Sequence, residues 1–331
     1  MPAKYAILGD GAWGTAIALH LAQNPQNHVC LWSAFEENAR ILGEKRENIR
    51  LLPGVRIPDS VELTTDIARA LTGADLGIAA IPTVYLRKTL QRMSGHWPRM
   101  LPALSLAKGL ENDTFQRPTQ VLQEVLGISS VAVLSGPSHA EEVSRGKPTS
   151  VVVACAEEEL AVRIQQIFTT DRFRIYTNLD VIGVELAGAL KNVIGIAAGA
   201  CDGLKFGDNA KSALMTRGLV EMARFGVAMG AEHETFFGLA GLGDLITTCV
   251  SPHGRNRRVG ERLGRGEKLA NIQASSPMVA EGVYTSRSVY FRARSMGIEL
   301  PIMTEVYRAL YEDKPAAEAV NALMVRQPKK E

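Results

Sequence analysis

The sequence predicts an α/β protein in which an N-terminal domain with a mostly parallel sheet is followed by a C-terminal all-α domain. A glycine-rich turn at 9–14 lies between an apolar run and a helical pattern. Short apolar runs then alternate with helical patterns as far as residue 178, and after it the β-type runs cease. Because 331 residues exceed the usual length of one domain, we expect two domains, at 1–178 and 179–331.

The first element is a strand at 4–8 that leads into a Gly-x-Gly-x-x-Gly turn. Gly9 permits the tight turn, Gly11 lets the backbone approach a pyrophosphate, and Gly14 lets the next helix pack closely on the strand. Helical periodicity and a second apolar run at 15–32 complete a strand-helix-strand unit. The N-terminal domain is therefore predicted to be Rossmann-like and to bind a dinucleotide at the start of its first helix.

The remaining strands are short runs, several of them apolar throughout, as strands covered on both faces require. They are expected at 29–32, 76–81, 103–107, 131–134, 150–154 and 173–176. Helices of the second domain are expected at 180–200, 210–229, 255–263, 286–294 and 305–311. Since the joint between the domains is short, they should pack across a cleft, where ligands commonly bind.

Composition argues against several classes of protein. The net charge of +2 and the short basic stretch at 255–258 argue against a nucleic-acid partner. The 4 cysteines are far apart, so we expect no disulfide, no metal site and a cytoplasmic location. The chain enters its first strand without the pattern of a secretory signal. Glu185, Lys191 and Asn192 interrupt the apolar stretch 181–201, so a buried helix is expected there and not a membrane span.

Lys191 is the candidate proton-exchanging residue. It is the only formal charge between Glu185 and Asp202, and small or apolar residues surround it along the predicted helix. A lysine on such a face is partly desolvated, which lowers its pKa toward neutral pH and lets it exchange protons. The alternative is a lysine whose stem covers apolar surface while its ammonium reaches water.

Lys108 follows the strand at 103–107 and so lies at the ligand-facing edge of an open α/β sheet. A cation there can hold an anionic substrate or polarise a carbonyl, and an ordinary solvated loop lysine is the alternative. Gly136 and Ser138 follow the next strand and face the same edge. His139 is expected to be a hydrogen-bonded structural group and not a catalytic one.

Two later segments offer groups that can bind an anion or a cation. Asp244 is the one carboxylate in an apolar stretch bracketed by glycines, where a helix cap is the alternative. Gly254, Arg255 and Asn256 open a predicted helix, so backbone amides, a guanidinium and a side-chain amide can converge on a phosphate. A solvated helix face is the alternative for this basic segment.

With these residues in order, the chain resembles the bacterial-type NAD(P)-dependent sn-glycerol-3-phosphate dehydrogenases. The resemblance spans nearly the whole chain, and the ordered set of motifs is far more specific than any one of them. The motifs are Gly9-Asp10-Gly11-Ala12-Trp13-Gly14-Thr15, Ala107-Lys108-Gly109-Leu110, Ser135-Gly136-Pro137-Ser138, Ala189-Leu190-Lys191-Asn192-Val193, Ala240-Gly241-Leu242-Gly243-Asp244-Leu245, Arg255-Asn256-Arg257 and Val279-Ala280-Glu281-Gly282.

The resemblance implies an oxidoreductase that interconverts sn-glycerol 3-phosphate and dihydroxyacetone phosphate with NAD or NADP, needs no metal, supplies phospholipid synthesis and forms a homodimer. It implies that Lys191 accepts the hydroxyl proton and returns it in the reverse reaction, and that Lys108 contacts both substrate and cofactor. The positions that match substrate-binding residues are Lys108, Gly136, Ser138, Lys191, Asp244, Gly254, Arg255 and Asn256. Those that match the dinucleotide site are Gly9, Gly11, Ala12, Trp13, Gly14, Lys108, Ala140, Arg255, Val279 and Glu281.

The chain departs from the family pattern at two places. Gly254 stands where the family usually has serine, so its backbone amide is expected to replace a hydroxyl contact. Relatives often carry arginine soon after the tryptophan that ends the second strand, whereas Trp32 is followed here by Ser-Ala at 33–34. The chain thus lacks the arginine that would pair with the 2′-phosphate of NADP. It also lacks the acidic residue that would bind the ribose 2′-hydroxyl of NAD, unless Glu36 or Glu37 bends back. The choice between NADH and NADPH stays open.

Two other functions are compatible with a Rossmann-like domain joined to a helical one. A β-hydroxyacid or phosphogluconate-type dehydrogenase also carries lysine and asparagine in its helical domain, although phosphogluconate calls for more polar groups than 241–246 offers. From another class, a dinucleotide-sensing binding protein would bind the cofactor without turnover.

Overall fold

An open sheet forms the N-terminal half of the computed structural model, which describes residues 3–275, 279–325 and 327. The strands are β1 (Lys4–Leu8), β2 (His28–Trp32), β3 (Glu47–Asn48), β4 (Leu52–Arg56), β5 (Glu62–Thr64), β6 (Leu76–Ala79), β7 (Ala103–Ser105), β8 (Val131–Ser135), β9 (Thr149–Ala154) and β10 (Phe173–Asn178). In this part of the chain, β3 and β4 form a hairpin, and the others form one sheet of 8 strands in the order β10-β9-β8-β7-β6-β1-β2-β5.

The sheet confirms the predicted fold class. From β5 through β2, β1, β6 and β7 to β8 the neighbours are parallel, in the strand order of a Rossmann domain, which reverses direction between β1 and β6. β9 pairs antiparallel with β8, and β10 runs parallel to β9. All predicted strands are present to within a few residues. The prediction missed β3, β4 and β5, because these short strands are largely exposed or half-buried and lack an apolar run.

Helices cover both faces of this sheet and build the C-terminal half. They are α1 (Ala12–Leu21), α2 (Glu36–Lys45), α3 (Ile67–Leu71), α4 (Thr83–Met93), α5 (Pro118–Leu126), α6 (Ala140–Val143), α7 (Glu158–Phe168), α8 (Val181–Gly203), α9 (Gly207–Ala228), α10 (Asp244–Val250), α11 (Arg255–Gly264), α12 (Leu269–Ala274), α13 (Glu281–Ser295), α14 (Pro301–Tyr311) and α15 (Ala316–Met324). The helices predicted for this half are confirmed. The short helices α10, α12 and α15 were missed, since each has too few turns for a clear helical period.

Alternate residues of β1 point to opposite faces of the sheet, and each face has its own apolar core. Ile7 packs with side chains of α1 and α7 on one face. Ala6 and Leu8 pack with side chains of α3, α4 and α5 on the other. The central strands are therefore buried on both sides, which explains why their sequences are apolar throughout.

The helix α8 is the centre of the C-terminal core. It is long and apolar enough to cross a membrane, yet 83% of its most apolar 18-residue window is buried inside the protein. Its glycines allow backbone-to-backbone contact with α11: a Cβ on Gly199 would lie 1.9 Å from the Arg257 carbonyl oxygen. Likewise, a Cβ on Gly260 would lie 1.8 Å from the Ile196 carbonyl oxygen. This close packing brings the start of α11 next to the middle of α8.

Candidate active site

The glycine turn lies where the sheet reverses its strand order, at the carboxyl ends of β1 and β6. Gly9 has a φ of 121°, and a Cβ there would lie 2.6 Å from the Ala80 carbonyl oxygen. A Cβ on Gly14 would lie 1.9 Å from the Gly9 carbonyl oxygen, whereas a Cβ on Gly11 would meet nothing within 4 Å. Gly9 and Gly14 therefore shape the turn, and Gly11 borders an open space that fits a pyrophosphate.

The first turn of α1 faces this space. Among the described residues, no side chain caps α1, whose N-cap is Gly11. The side-chain amide of Asn48 donates to the Asp10 carbonyl oxygen at 2.8 Å and to Thr15 Oγ1 at 2.9 Å, which holds the turn in place. Because the first amides of α1 lack a side-chain partner, they and the helix dipole favour a negative group. The turn thus fits the pyrophosphate of a dinucleotide.

Lys191 lies in the middle of α8, inside a buried polar cluster. Its Nζ donates to Asp244 Oδ1 at 3.0 Å and to Thr248 Oγ1 at 2.5 Å, and its side chain is only 9% exposed. Burial lowers the pKa of Lys191 to about 8; Asp244 opposes this shift and Lys108 adds to it. The alternative of a solvated ammonium does not apply, and the amine can exchange a proton near neutral pH.

Asp244 joins two lysines that come from opposite halves of the chain. It is 2% exposed, and its Oδ2 accepts from Lys108 Nζ at 2.8 Å while its Oδ1 accepts from Lys191. Burial raises the pKa of Asp244, but the two lysines outweigh this effect and the pKa is lowered overall. The carboxylate is thus ionised and bridges the lysines instead of capping α10. Two ammonium groups around one carboxylate leave an excess positive charge, which suits an anionic substrate.

Lys108 connects the loops that follow β7 and β8 to this cluster. Its Nζ also donates to the Gly136 carbonyl oxygen at 2.8 Å and contacts Ser138 Oγ at 3.3 Å. The Ser138 hydroxyl in turn donates to the Gly136 carbonyl oxygen at 2.8 Å. The structure therefore brings Lys108, Gly136 and Ser138 together with Lys191 and Asp244, as expected for one ligand site at the sheet edge.

A chain of amide hydrogen bonds ties Asn256 to the same site. The Asn256 Nδ2 donates to Asn192 Oδ1 at 2.8 Å, and its Oδ1 accepts from the Gly282 backbone amide at 2.9 Å. Asn192 Nδ2 donates to the Lys108 carbonyl oxygen at 2.9 Å. The Asn256 side chain is therefore buried and held between α8 and α13, and it positions the start of α11 against Lys108.

Arg255 has a different environment from Asn256. It is exposed, and its Nη1 donates to the Val279 carbonyl oxygen at 3.1 Å. It borders a cavity of about 220 Å³ between α4 and the C-terminal helices, together with Tyr85, Arg258, Val259, Arg262, Ile272, Gln273, Val279, Ala280, Val283 and Tyr284. The guanidinium therefore lies at an open, basic edge of the cleft.

Glu281 connects the two halves on another side of the cleft. Its Oε1 accepts from the Thr83 backbone amide at 2.8 Å, and burial raises the pKa of its carboxyl group. In the described part of the chain, Glu281 Oε2 and Thr83 Oγ1 are buried and have no hydrogen-bond partner. A Cβ on Gly109 would lie 2.3 Å from that Oε2, so a larger residue there would have to displace the Glu281 carboxylate. The two halves are therefore tightly packed against each other at Glu281.

Three other residues expected to contact the dinucleotide lie on helices α1 and α6. Ala12 and Trp13 form the first turn of α1. Ala140 begins α6, which packs against α1. Ala12, Trp13 and Ala140 therefore share one apolar cluster at the start of α1 and α6.

Three further side chains lie at the site, and the sequence analysis did not assign any of them a role there. Thr248 lies four residues after Asp244 on α10, and this one-turn spacing could have indicated it. Asn192 directly follows Lys191, but its partners could not be predicted. His139 was expected to be a hydrogen-bonded structural group, yet its Nε2 is buried without a hydrogen-bond partner among the described residues. Burial lowers the pKa of His139, and the charge of Lys191 lowers it further.

Hydride exchange with a nicotinamide needs a dinucleotide held on one domain and a proton-exchanging group presented from the other. The turn at 9–14 and the Lys191 cluster supply these parts on two halves that meet at Lys108 and Asp244, which defines a pyridine-nucleotide-dependent dehydrogenase. Residues 4–161 match the N-terminal and residues 180–321 the C-terminal family model of NAD-dependent glycerol-3-phosphate dehydrogenase. The chain belongs to this family.

Relatives match over the full length of the chain. It is 48% identical to the glycerol-3-phosphate dehydrogenase [NAD(P)+] of Chlorobium limicola, over 98% of both chains. It is 46% identical to the corresponding Geobacillus kaustophilus protein, over 98% of this chain and 95% of that one. The crystal structure of the Coxiella burnetii glycerol-3-phosphate dehydrogenase superimposes with a TM-score of 0.94 at 37% identity, over 98% of this chain and 99% of that one. Neither alternative function is supported by these matches.

Proposed function

We propose that this chain interconverts sn-glycerol 3-phosphate and dihydroxyacetone phosphate with NAD(P)(H), and that Lys191 exchanges the hydroxyl proton. Residues 1–178 form the dinucleotide-binding domain, and residues 179–331 form the substrate-binding and catalytic domain. One observation carries the proposal: a buried amine with a pKa of about 8 shares a carboxylate, Asp244, with Lys108 of the other half.

The residues of the cluster divide the chemistry between them. A bound nicotinamide supplies or accepts the hydride at C2 of the substrate. Neutral Lys191 takes the proton of the C2 hydroxyl during oxidation, and its ammonium returns a proton to the oxygen during reduction. Lys108 stabilises the negative charge that develops on this oxygen. Asp244 holds the two Nζ atoms at 3.0 and 2.8 Å and thereby orients both amines before the substrate binds.

The phosphate of the substrate is proposed to bind at the start of α11. In the described chain no side chain caps this helix, whose N-cap is Gly254, so its first amides have no side-chain partner, and the exposed Arg255 guanidinium has further N–H groups for an anion. The Gly254 amide, which was expected to replace a hydroxyl contact, donates instead to the Ser251 carbonyl oxygen at 3.3 Å. Asn256 contributes a carboxamide that Asn192 and Gly282 hold in place. Because the phosphate is remote from C2, these contacts supply binding energy and orientation. The glycerol part lies against Lys108, Gly136, Ser138, Lys191 and Asp244.

The dinucleotide is proposed to lie along the glycine turn and across the cleft. Its pyrophosphate lies over Gly11 and the first turn of α1, and its nicotinamide end lies toward Glu281. The proposed contacts are Gly9, Gly11, Ala12, Trp13, Gly14, Lys108, Ala140, Arg255, Val279 and Glu281.

The setting of the reaction is also a proposal. The product sn-glycerol 3-phosphate serves phospholipid synthesis in the cytoplasm, and the chain is not inserted in a membrane. A homodimer is proposed, because closed two-fold dimers are the commonest oligomers of soluble proteins. Reduced cysteines, all of them buried, are consistent with a reducing compartment.

The proton role of Lys191 can be tested with Lys191→Ala. We expect kcat/KM for dihydroxyacetone phosphate to fall by at least about 100-fold, while dinucleotide affinity changes little. Lys45→Ala on α2, where Lys45 is exposed, is the matched control and should leave both unchanged.

In the wild type, glycerol phosphate oxidation should accelerate as the pH rises to about 8, because the neutral lysine is the base. Retention of more than about a tenth of kcat/KM by Lys191→Ala would refute the proton role.

A further inference from the structure

The far corner of the dinucleotide site lies at the carboxyl end of β2. In Rossmann domains this corner holds the adenosine ribose, where an acidic residue binds the 2′-hydroxyl of NAD and an arginine accommodates the 2′-phosphate of NADP. Here β2 ends at Trp32 and is followed by Ser33, which is 2% exposed. The Ser33 hydroxyl donates to Asp10 Oδ2 at 2.7 Å. A carboxylate from the glycine turn therefore lies in the corner that an acidic residue after β2 usually fills.

We infer that Asp10 makes this ribose corner acidic and that the enzyme consequently prefers NADH to NADPH. The inference rests on the dinucleotide-binding part of the proposed function. The hydroxyl of Ser33 and the side chain of Asn38 both hydrogen-bond to the Asp10 carboxylate, which fixes it beside the end of β2. A fixed carboxylate accepts a hydrogen bond from a ribose 2′-hydroxyl and repels a 2′-phosphate.

The helix that follows Ser33 increases this acidity. α2 begins at Glu36, and both Glu36 and Glu37 lie exposed in its first turn. Two acidic side chains there offset the helix dipole, which otherwise attracts a phosphate. Neither glutamate needs to bend back into the corner, because Asp10 already supplies the carboxylate.

Two arginines that follow β2, Arg40 and Arg46, are engaged elsewhere. Arg40 pairs with Glu37 at 2.8 Å and with Glu44 at 2.6 Å. The Arg46 side chain donates to the backbone carbonyl oxygens of three residues beyond the helix, at 57, 58 and 61. A 2′-phosphate would have to break one of these arrangements to pair with Arg40 or Arg46. Both the repulsion by Asp10 and the engagement of Arg40 and Arg46 act against NADPH.

The preference can be measured directly by isothermal titration of the full chain with NADH and with NADPH. Like charges about 4 Å apart near a protein surface repel strongly enough for at least about a tenfold difference in Kd in favour of NADH. Asp10→Asn keeps the size of the side chain and an acceptor for Ser33 but removes the charge. We expect it to weaken NADH binding, strengthen NADPH binding and bring the two Kd values within about threefold.

A second variant keeps the inference testable if Asp10→Asn does not fold. Ala34→Arg adds a guanidinium just after β2 and should lower the Kd for NADPH at least about fivefold, with little effect on NADH. Gln26→Arg is the matched control, because it adds the same charge at an exposed site before the opposite end of β2 and should change neither Kd.

The outcomes separate this inference from the proposed function. If the wild type binds NADPH as tightly as NADH, or if a folded Asp10→Asn keeps the wild-type ratio, Asp10 does not set the preference, and the proposed function stands. If Ala34→Arg changes the NADPH Kd no more than Gln26→Arg does, the ribose corner is not beside β2 and the inference is wrong. If the wild type binds neither nucleotide, both the inference and the proposed function are overturned.

Discussion

The glycine turn and the Lys191 cluster are two parts of one site, built in opposite ways. The turn at 9–14 acts through backbone: it depends on missing Cβ atoms and on amides at the start of α1. The cluster acts through side chains that come from two loops and two helices and meet at Asp244. The turn is therefore sensitive to an added atom, and the cluster is sensitive to a lost charge. This difference decides which substitutions damage each part.

The largest effect is expected from removing the charge of Asp244. Asp244→Asn leaves the ammonium groups of Lys108 and Lys191 without their carboxylate in a buried site. Breaking a buried ion pair in this way costs about 3–5 kcal/mol, so the free energy of unfolding should fall by this amount. Activity should fall with it, because the amines lose their orientation. Urea unfolding followed by circular dichroism measures the loss.

Asp202→Asn is the matched control for this experiment. Asp202 also pairs with two cations, Lys211 and Arg257, but its side chain is 23% exposed. Because the Asp202 carboxylate is more solvated than that of Asp244, which is 3% exposed, the control should lose less stability. If the two variants lose the same free energy of unfolding, burial of the Asp244 carboxylate does not make its ion pairs more important for stability than those of Asp202.

The second prediction concerns the backbone part of the site. Gly14→Ala puts a Cβ 1.9 Å from the Gly9 carbonyl oxygen, which forces α1 away from β1. Such overpacking costs about 1–3 kcal/mol, and we expect a lower melting temperature and dinucleotide binding at least about tenfold weaker. Gly11→Ala is the informative control, because its Cβ meets no protein atom within 4 Å. It should keep the wild-type melting temperature and still weaken binding, since the methyl group occupies the space of the pyrophosphate.

If Gly11→Ala binds the dinucleotide as tightly as the wild type, the open space beside it is not where the pyrophosphate lies. If Gly14→Ala keeps the full melting temperature, α1 is less closely packed on the turn than the structure indicates. Either result would contradict the view that missing Cβ atoms define this part of the site.

The same contrast explains how much of the fold could be predicted. The central strands are apolar throughout because both faces of the sheet are covered, so runs such as 4–8 and 131–134 were recognisable in the sequence. β5 and the β3–β4 hairpin have no such run, since their side chains are half-buried or exposed. A strand can therefore be predicted from its local sequence only where burial requires a run of apolar residues.

In the site, local features were predictable and long-range partners were not. The glycine turn is contained in six consecutive residues, and Lys108 could be placed by its position after a buried strand. The bridge from Lys191 to Asp244 spans 53 residues, and the hydrogen bond from Thr83 to Glu281 spans 198. These residues meet because α8 packs against α10 and α13 packs against α4. The spacing of residues along the sequence does not indicate this packing. For the same reason, the sequence left a helix cap as an equal alternative for Asp244.

The smallest effect is expected at Glu281, where the two halves of the site meet. Burial raises the pKa of Glu281 in the folded state, so the folded protein holds this proton more tightly than the unfolded chain. The resulting stabilisation is complete below the unfolded pKa of about 4.3 and is lost as the pH rises through the folded pKa. Glu281→Gln stays neutral and keeps an acceptor for Thr83, so relative to the wild type its free energy of unfolding should increase from pH 5 to pH 8, by about 1 kcal/mol or less. Glu318→Gln, at an exposed position on α15, should show no such trend in urea unfolding at the two pH values. A buried carboxylate lowers the free energy of unfolding once it ionises. If the difference in this free energy between Glu281→Gln and the wild type is the same at pH 5 and pH 8, burial of the Glu281 carboxylate therefore costs no stability.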